Sequence, residues 1–266
     1  MSIADRIEET LTGFRMIGLD ELKQAELMRR KDAKFLYNVL HIPGILQSLE
    51  KEYQVLEVDG RRAQNYQTLY YDTLDLDMYH MHHRGMVNRH KVRFRKYGSN
   101  DAVFLEVKKK DAKGITIKNR KQTESADALI LSREEEFLTY YTPYRNQRIL
   151  PVLENNFKRI TLVSPDQAER ITIDYELWFS DPLSENSIEL PGISIAEIKF
   201  RDRISASPFY AALRRCHILP SRFSKYCIGM ALLNPELKQN LFKEKILRVR
   251  KLNEQYLQFI KRPQYA

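Results

Sequence analysis

Between residues 91 and 120 the chain alternates charged and apolar side chains with a period of two, and this pattern limits its fold more than any other feature. Successive side chains of a strand point to opposite faces. In "KVRFRKY", Lys91, Arg93 and Arg95 share one face, and Val92 and Phe94 share the other. In "VFLEVKKK", Glu106 and Lys108 lie opposite Val103, Leu105 and Val107. In "ITIKNR", Thr116, Lys118 and Arg120 lie opposite Ile115 and Ile117. The rule returns downstream, where Arg170, Thr172, Asp174 and Glu176 oppose Ile171, Ile173, Tyr175 and Leu177. Glu197, Lys199 and Arg201 likewise oppose Ile198 and Phe200. Any one of these strands describes a sheet with one face in water. All of them together crowd like charges onto one surface, which repel unless something anionic lies between them. A barrel with apolar faces outward under helices and charged faces around a wet lumen answers both demands.

Composition agrees with an anionic partner. Lysine and arginine number 44 against 35 acidic residues, a formal charge of +9. That excess favours nucleic acid, nucleotides, polyphosphate or anionic lipid without choosing among them. Cys216 and Cys227 have no metal-ligand spacing and form no disulfide framework, as expected of a reducing compartment. No apolar run approaches the roughly 20 residues that span a bilayer. The start, "MSIADRIEETLTGF", lacks the apolar core of a signal peptide, so a cytoplasmic location is expected.

Ile3, Ile7, Leu11 and Phe14 recur at helical spacing. "IPGILQSLEKE", residues 42–52, reads as a short helix with Pro43 near its start, and "RRKDAKFLYNV" before it as a strand. From Gln67 to Arg203 the signals are mostly strands punctuated by turns, broken by one helical insert at 132–141. After Pro208 the pattern is helical, and "ELKQNLFKEKILRVRKLNEQYLQFIKR" is a long basic amphipathic helix expected to pack its apolar side on the barrel. The predicted fold class is α+β, an antiparallel barrel with flanking N- and C-terminal helices.

Other constellations carry less. His80, His82, His83 and His90 invite a zinc hypothesis, but their spacing fits no standard site and no cysteine is near. A loop of partly exposed histidines, facing nucleotide or solvent, is the expectation. No Walker loop, HExxH or GxSxG occurs. Aromatics are not interleaved with the cations on the charged faces, so no nucleic acid partner is expected.

The motifs "KDAKF" (31–35), "YYDT" (70–73), "KVRFRKY" (91–97), "FLEVKKK" (104–110), "KNR" (118–120), "RITID" (170–174), "EIKF" (197–200) and "SKY" (224–226) occur in an order that resembles VTC domains. These are the polyphosphate polymerase branch of the triphosphate tunnel metalloenzymes, the superfamily that includes CYTH proteins. The resemblance implies a tunnel of about eight antiparallel strands. It divides the chain into a helical segment at 1–27, the tunnel domain at 28–230 and a basic helix at 231–266. By motif, Lys34, Arg93, Arg95, Lys108, Arg159, Arg170 and Lys225 become the residues that act on the transferring phosphates. Lys31, Lys118, Arg120, Lys199 and Arg201 become further substrate-binding cations, and Glu197 the ligand of a divalent metal, Mn²⁺ or Mg²⁺. CYTH hydrolases open on an alternating Glu-x-Glu-x-Lys strand, whereas "RRKDAKF" is basic. The implied activity is synthesis of inorganic polyphosphate from ATP. The alternatives are a tripolyphosphatase or nucleoside triphosphatase on the same scaffold, and a non-catalytic polyphosphate binder.

Overall fold

The alternating segments pair with one another into a single sheet. A computed structural model describes residues 1–24, 31–98, 100–113, 115–123, 134–144, 149–201 and 203–261. The elements are α1 (Ile3–Thr12), β1 (Arg15–Ile17), α2 (Leu19–Gln24), β2 (Lys31–Asn38), α3 (Ile42–Gln47), β3 (Gln54–Leu56), β4 (Ala63–Thr73), α4 (Asp77–His83), β5 (Arg89–Tyr97) and β6 (Asn100–Lys110). There follow β7 (Thr116–Thr123), α5 (Glu135–Tyr141), β8 (Ile149–Val163), β9 (Glu169–Ser180), β10 (Ser187–Leu190), β11 (Ile193–Phe200), α6 (Pro208–Arg215), α7 (Lys225–Leu233) and α8 (Lys243–Lys261). Eight strands run antiparallel in the order β2-β11-β9-β8-β4-β5-β6-β7, with β1, β3 and β10 added at the side.

Among the described residues no ladder joins β7 to β2, so the expected barrel is a curled sheet with an open seam. The curl itself is visible in what α7 touches. Its N-cap Ser224 accepts a hydrogen bond from Lys91 of β5 at 2.8 Å, while the next residue, Lys225, reaches Asp174 of β9. Three ladders separate those strands along the sheet path.

The apolar faces point outward. Phe35, Ile160, Leu162, Ile171, Ile173 and Ile198 pack beneath Ile7 and Leu11 of α1, Ile45 and Leu46 of α3, and Phe209 and Leu213 of α6. On the other flank Val92, Phe94, Leu105 and Val107 pack with Tyr71, Met78 and Leu138 of α5. Phe94 is 1% exposed and meets Tyr71 edge-on at 5.4 Å. Phe94→Ala should therefore cost about 3–5 kcal/mol of stability in denaturant titration. Arg95→Ala, one residue away on the opposite face, should instead weaken binding of triphosphate by calorimetry. The opposite pattern of losses would reverse the assignment of faces.

Strand parity breaks in β9 at Glu176. This residue is exposed and left-handed (φ 52°), and the β8–β9 register shifts beside it. Leu177 and Phe179 thereby leave the outer face of Ile171 and Ile173 and join α7 inside the curl, with Leu36, Leu153, Phe157 and Ile195. Strict alternation had placed Leu177 outside, and the bulge corrects it. The helix α7 is buried on every side from Tyr226 to Leu233, so it fills one end of the interior with apolar bulk.

"YYDT" has a structural reason. Asp72 is fully buried, accepts hydrogen bonds from the backbone N–H groups of Thr73, Met78 and Tyr79 at 2.8–2.9 Å, and also from the Tyr226 hydroxyl. It anchors the start of α4 to β4 and α7. His80, His82 and His83 ride on this helix rather than on the expected loop, and His90 lies on β5. His83 is buried against Phe242 (rings 5.0 Å apart) and its Nε2 accepts from Leu241 N, while His90 packs against Tyr144. Burial and neighbouring cations, Lys91 first, push His82 down to about 2, so it is neutral.

The C-terminal helix is shorter than its sequence pattern, starting at Lys243 after a 3₁₀ turn. It straps the β2/β11 end: Arg248 donates to the Leu36 carbonyl, Asn38 donates to the Leu252 carbonyl, and Asn253 accepts from Gly192 N, all at 2.9 Å. No helix among the described residues is long and apolar enough to cross a membrane.

Candidate functional site

The inner face of the curl gathers the charged sides of β2, β5, β6, β7, β8, β9 and β11. Register does this directly: Lys91 pairs with Lys108, Arg93 with Glu106, and Lys108 and Glu106 in turn with Lys118 and Arg120. On the far wall Arg159 pairs with Asp174, Thr172 with Glu197, and Glu197 with Lys34. Lys34, Lys91, Arg93, Arg95, Lys108, Lys118, Arg159, Lys199 and Lys225 thus gather around Glu106, Asp174 and Glu197, with the exposed Asp32 beside Lys199 near the start of β2. The cations outnumber the carboxylates more than twofold, so the lumen has a standing positive charge.

Two of the carboxylates are tightly bound. Asp174 (3% exposed) accepts Arg159 Nε at 2.6 Å and Nη2 at 2.8 Å on its two oxygens, and Lys225 Nζ joins Oδ2. Glu106 (1% exposed) accepts Arg93 Nε at 2.8 Å and Nη2 at 2.6 Å, Lys118 Nζ at 2.5 Å and the Tyr97 hydroxyl at 3.0 Å. Burial opposes these charges, but the adjacent guanidinium and ammonium groups hold both carboxyls far below the ordinary range.

Glu197 is placed differently. Its oxygens lie 3.8 Å from Lys34 Nζ and 3.8 Å from Lys199 Nζ, contacts too long for hydrogen bonds. Burial raises its pKa and Lys34, Lys199 and Lys108 lower it further, to about 2. Beside it in register, the buried Thr172 hydroxyl has no hydrogen-bond partner among the described residues.

The lysines pay for their enclosure. Burial, then Lys34, pushes Lys108 down to about 7, with Glu197 pulling partly back. Burial brings Lys118 and Lys225 each to about 8 despite their carboxylate partners. Aromatic rings support the cations: Arg159 lies 4.7 Å from the Tyr66 centroid and Lys225 Nζ 4.1 Å from that of Phe157. Tyr70 accepts from Arg93 Nη1 at 3.3 Å, and Arg93, Arg95, Lys91 and Lys225 more than cancel the upward push of burial on its phenol.

The remaining expected residues lie nearer the rims. Arg170 shares the face of Thr172 and Asp174, and its Nη2 donates to the Leu22 carbonyl of α2 at 3.3 Å. Arg120 is exposed on β7, with its guanidinium 5.3 Å from the Phe104 centroid. Arg201 is exposed just past the end of β11. Lys31 is exposed at the start of β2 and shares the side of Ala33 and Phe35, which faces the outer core. Sequence reasoning did not assign Lys91, Tyr70, Glu106 or Asp174 to the site. Parity had put Lys91, Glu106 and Asp174 on the charged faces, which was the available signal.

The implied divalent cation can be tested against these donors. Among the described residues no group of three His, Cys, Asp or Glu side chains converges into an all-protein metal cage. Mg²⁺-like ions instead take one or two carboxylates and complete their shell with water and substrate phosphate. An ionised Glu197 that among the described residues makes long ion pairs at 3.8 Å, beside a Thr172 hydroxyl with no partner among them, fits that mode.

Comparison with solved structures finds similar folds at low identity. A proposed adenylate cyclase from Bacillus halodurans is 13% identical, with 73% of this chain and 93% of that one covered and a TM-score of 0.49. A proposed adenylyl cyclase from Hippeastrum, described as having a dominant triphosphatase activity, is 12% identical, covering 79% and 99%, with a TM-score of 0.46. A Pyrococcus horikoshii protein is 15% identical, covering 83% and 98%, with a TM-score of 0.43. No curated protein matches the chain. The VTC domain model matches residues 29–234, which spans the curled sheet, the inward charges and α7. The chain therefore belongs to the VTC domain family.

Proposed function

We propose that this protein is an ATP-dependent polyphosphate polymerase that works in the cationic lumen. The observation that carries the reading is the balance of charge there: nine cations surround Glu106, Asp174 and Glu197, and two of those carboxylates are already bound to arginine. A site with such a surplus suits retention of a long polyanion, and membership of the VTC family supports the same reading.

In the proposed reaction the terminal phosphate oxygen of the growing chain attacks the γ-phosphorus of ATP. A phosphoanhydride bond forms, the β–γ bridge breaks, and ADP leaves with the bridging oxygen. Both reactants are anions, so their mutual repulsion is the main obstacle, and positioning with charge neutralisation is the main remedy. Arg93, Arg95 and Arg159 offer fixed guanidinium forks for phosphate oxygens, and Lys34, Lys108 and Lys225 offer compact ammonium charges. Glu197 would hold the divalent ion, which when bound supplies charge to the triphosphate oxygens. The reaction needs no protein nucleophile.

Incubation with ATP and Mn²⁺ or Mg²⁺, with polyphosphate, ADP and free phosphate resolved separately, tests the assignment. Polymer formed in step with ADP is expected. Free phosphate without polymer would identify a triphosphatase on this fold, and tight polyphosphate binding without either product would identify a binder.

A further inference from the structure

Asp174 and Glu106 each serve two cations of the lumen, and serve them unequally. Arg159 grips Asp174 through two nitrogens on both oxygens, whereas Lys225 touches a single oxygen. Arg93 grips Glu106 through Nε and Nη2, whereas Lys118 makes one contact. The same arrangement of arginine, carboxylate and lysine therefore occurs twice, on opposite walls, from unrelated strands. A forked guanidinium is geometrically locked by such a pair, while an ammonium on a four-carbon stem can swing away and keep its charge.

We propose that Asp174 and Glu106 are internal counter-anions, positioning residues that hold Lys225 and Lys118 in the empty lumen and release them to an arriving phosphate. The arginines stay fixed on the carboxylates as the rigid part of the site. The lysines exchange one oxygen anion for another, so a polyphosphate is gripped without a permanent ionic lock and is able to advance. This proposal rests on the lumen being a phosphate site, as argued above.

The surroundings set the consequence of removing a carboxylate. Around Lys225 stand Asp174 of β9, Arg159 of β8 and Tyr70 of β4, with Lys91 of β5 on the adjacent Ser224. Around Lys118 stand Glu106 together with Arg93 and Arg95, and Tyr97 shares the carboxylate. Desolvation already brings both lysines to about 8, the enclosed Lys225 and the more open Lys118 alike, and in each case the carboxylate is the main partner that opposes this. Without it the lysine gives up its proton at lower pH, but while still charged it has no competitor for phosphate. Asp174→Asn keeps an acceptor for Arg159, so the swap changes charge more than shape.

The test is calorimetric binding of metal-free tripolyphosphate from about pH 6.5 to about pH 9. Wild type should lose affinity as pH rises past the lysine range. Asp174→Asn should bind more tightly than wild type at the acid end, with its alkaline fall displaced about one pH unit downward, a tenfold change in the charged fraction of Lys225 on the falling limb. Placed in a Lys225→Gln background, Asp174→Asn should leave the fall where that background has it. Weaker binding at the acid end with an unmoved fall would show a merely structural carboxylate and overturn the proposal. So would a displacement that survives in the Lys225→Gln background. Should Asp174→Asn not fold, Glu106→Gln with and without Lys118→Gln gives the same comparison on the other wall. Wild-type protein that binds no tripolyphosphate at any pH would overturn the phosphate site itself, and the counter-anion role with it.

Discussion

Replacing Glu197 by glutamine should abolish metal-dependent turnover of ATP while leaving triphosphate bound. The amide keeps the side chain's shape and one acceptor but removes the charge that Lys34 and Lys199 flank at 3.8 Å. Two consequences follow with opposite signs. The neighbouring lysines lose a competing anion, so metal-free triphosphate should bind at least as well as before. The divalent ion loses its carboxylate, and stabilisation of phosphoryl charge by such an ion is worth several kcal/mol, or roughly a thousandfold in rate. Steady-state turnover titrated with Mn²⁺, beside metal-free binding of triphosphate, separates the two. Turnover that survives with an unchanged metal dependence would remove Glu197 from the ligand set.

Lys34 and Lys225 carry the second large effect, because they reach the lumen from distant parts of the chain and different elements, β2 and the first turn of α7. An ammonium that contacts a transferring phosphate makes a charge-assisted hydrogen bond that strengthens as charge shifts in the transition state. Losing one such bond costs about 1.5–3 kcal/mol, or roughly ten- to a hundredfold in rate. Lys34→Ala and Lys225→Ala should each lower polymer synthesis by that much at saturating ATP, with circular dichroism unchanged. Arginine at either position should restore only part, since a planar fork does not occupy the place of a compact ammonium. Near-normal synthesis by both alanine variants would confine the site to the central strands.

Much of this arrangement was legible in the alternation of charge and apolar bulk. That pattern put Arg93, Arg95 and Lys108 on the inner face and Val92, Phe94 and Leu105 on the outer one, because a strand offers its residues only two faces. It failed at Glu176, where a left-handed residue that is not glycine resets parity, a conformation with no compositional mark. It also promised an outer core for Ile115 and Ile117, which stay 57% and 46% exposed just before and on the outermost strand. The short strands β1 and β3, which pair in parallel beside β8, have too few residues to display a period. The histidines looked like a polar cluster, yet desolvation and ring packing against Phe242 and Tyr144 hold them, which only the tertiary fold supplies. Parity could not distinguish a carboxylate bound to arginine, such as Asp174, from one spaced away from its cations, such as Glu197. That difference depends on side-chain reach, and it separates the proposed counter-anions from the proposed metal ligand.

A crystal structure of the protein with a non-hydrolysable ATP analogue and Mn²⁺ would locate the triphosphate and the metal together. The triphosphate should lie inside the curl, its oxygens contacting side chains of β5 and β6 on one wall and of β8, β11 and α7 on the other. The anomalous signal of manganese should fall beside the Glu197 carboxylate. A triphosphate held on the outer surface, with the manganese signal away from Glu197, would rule out a phosphate site in the lumen.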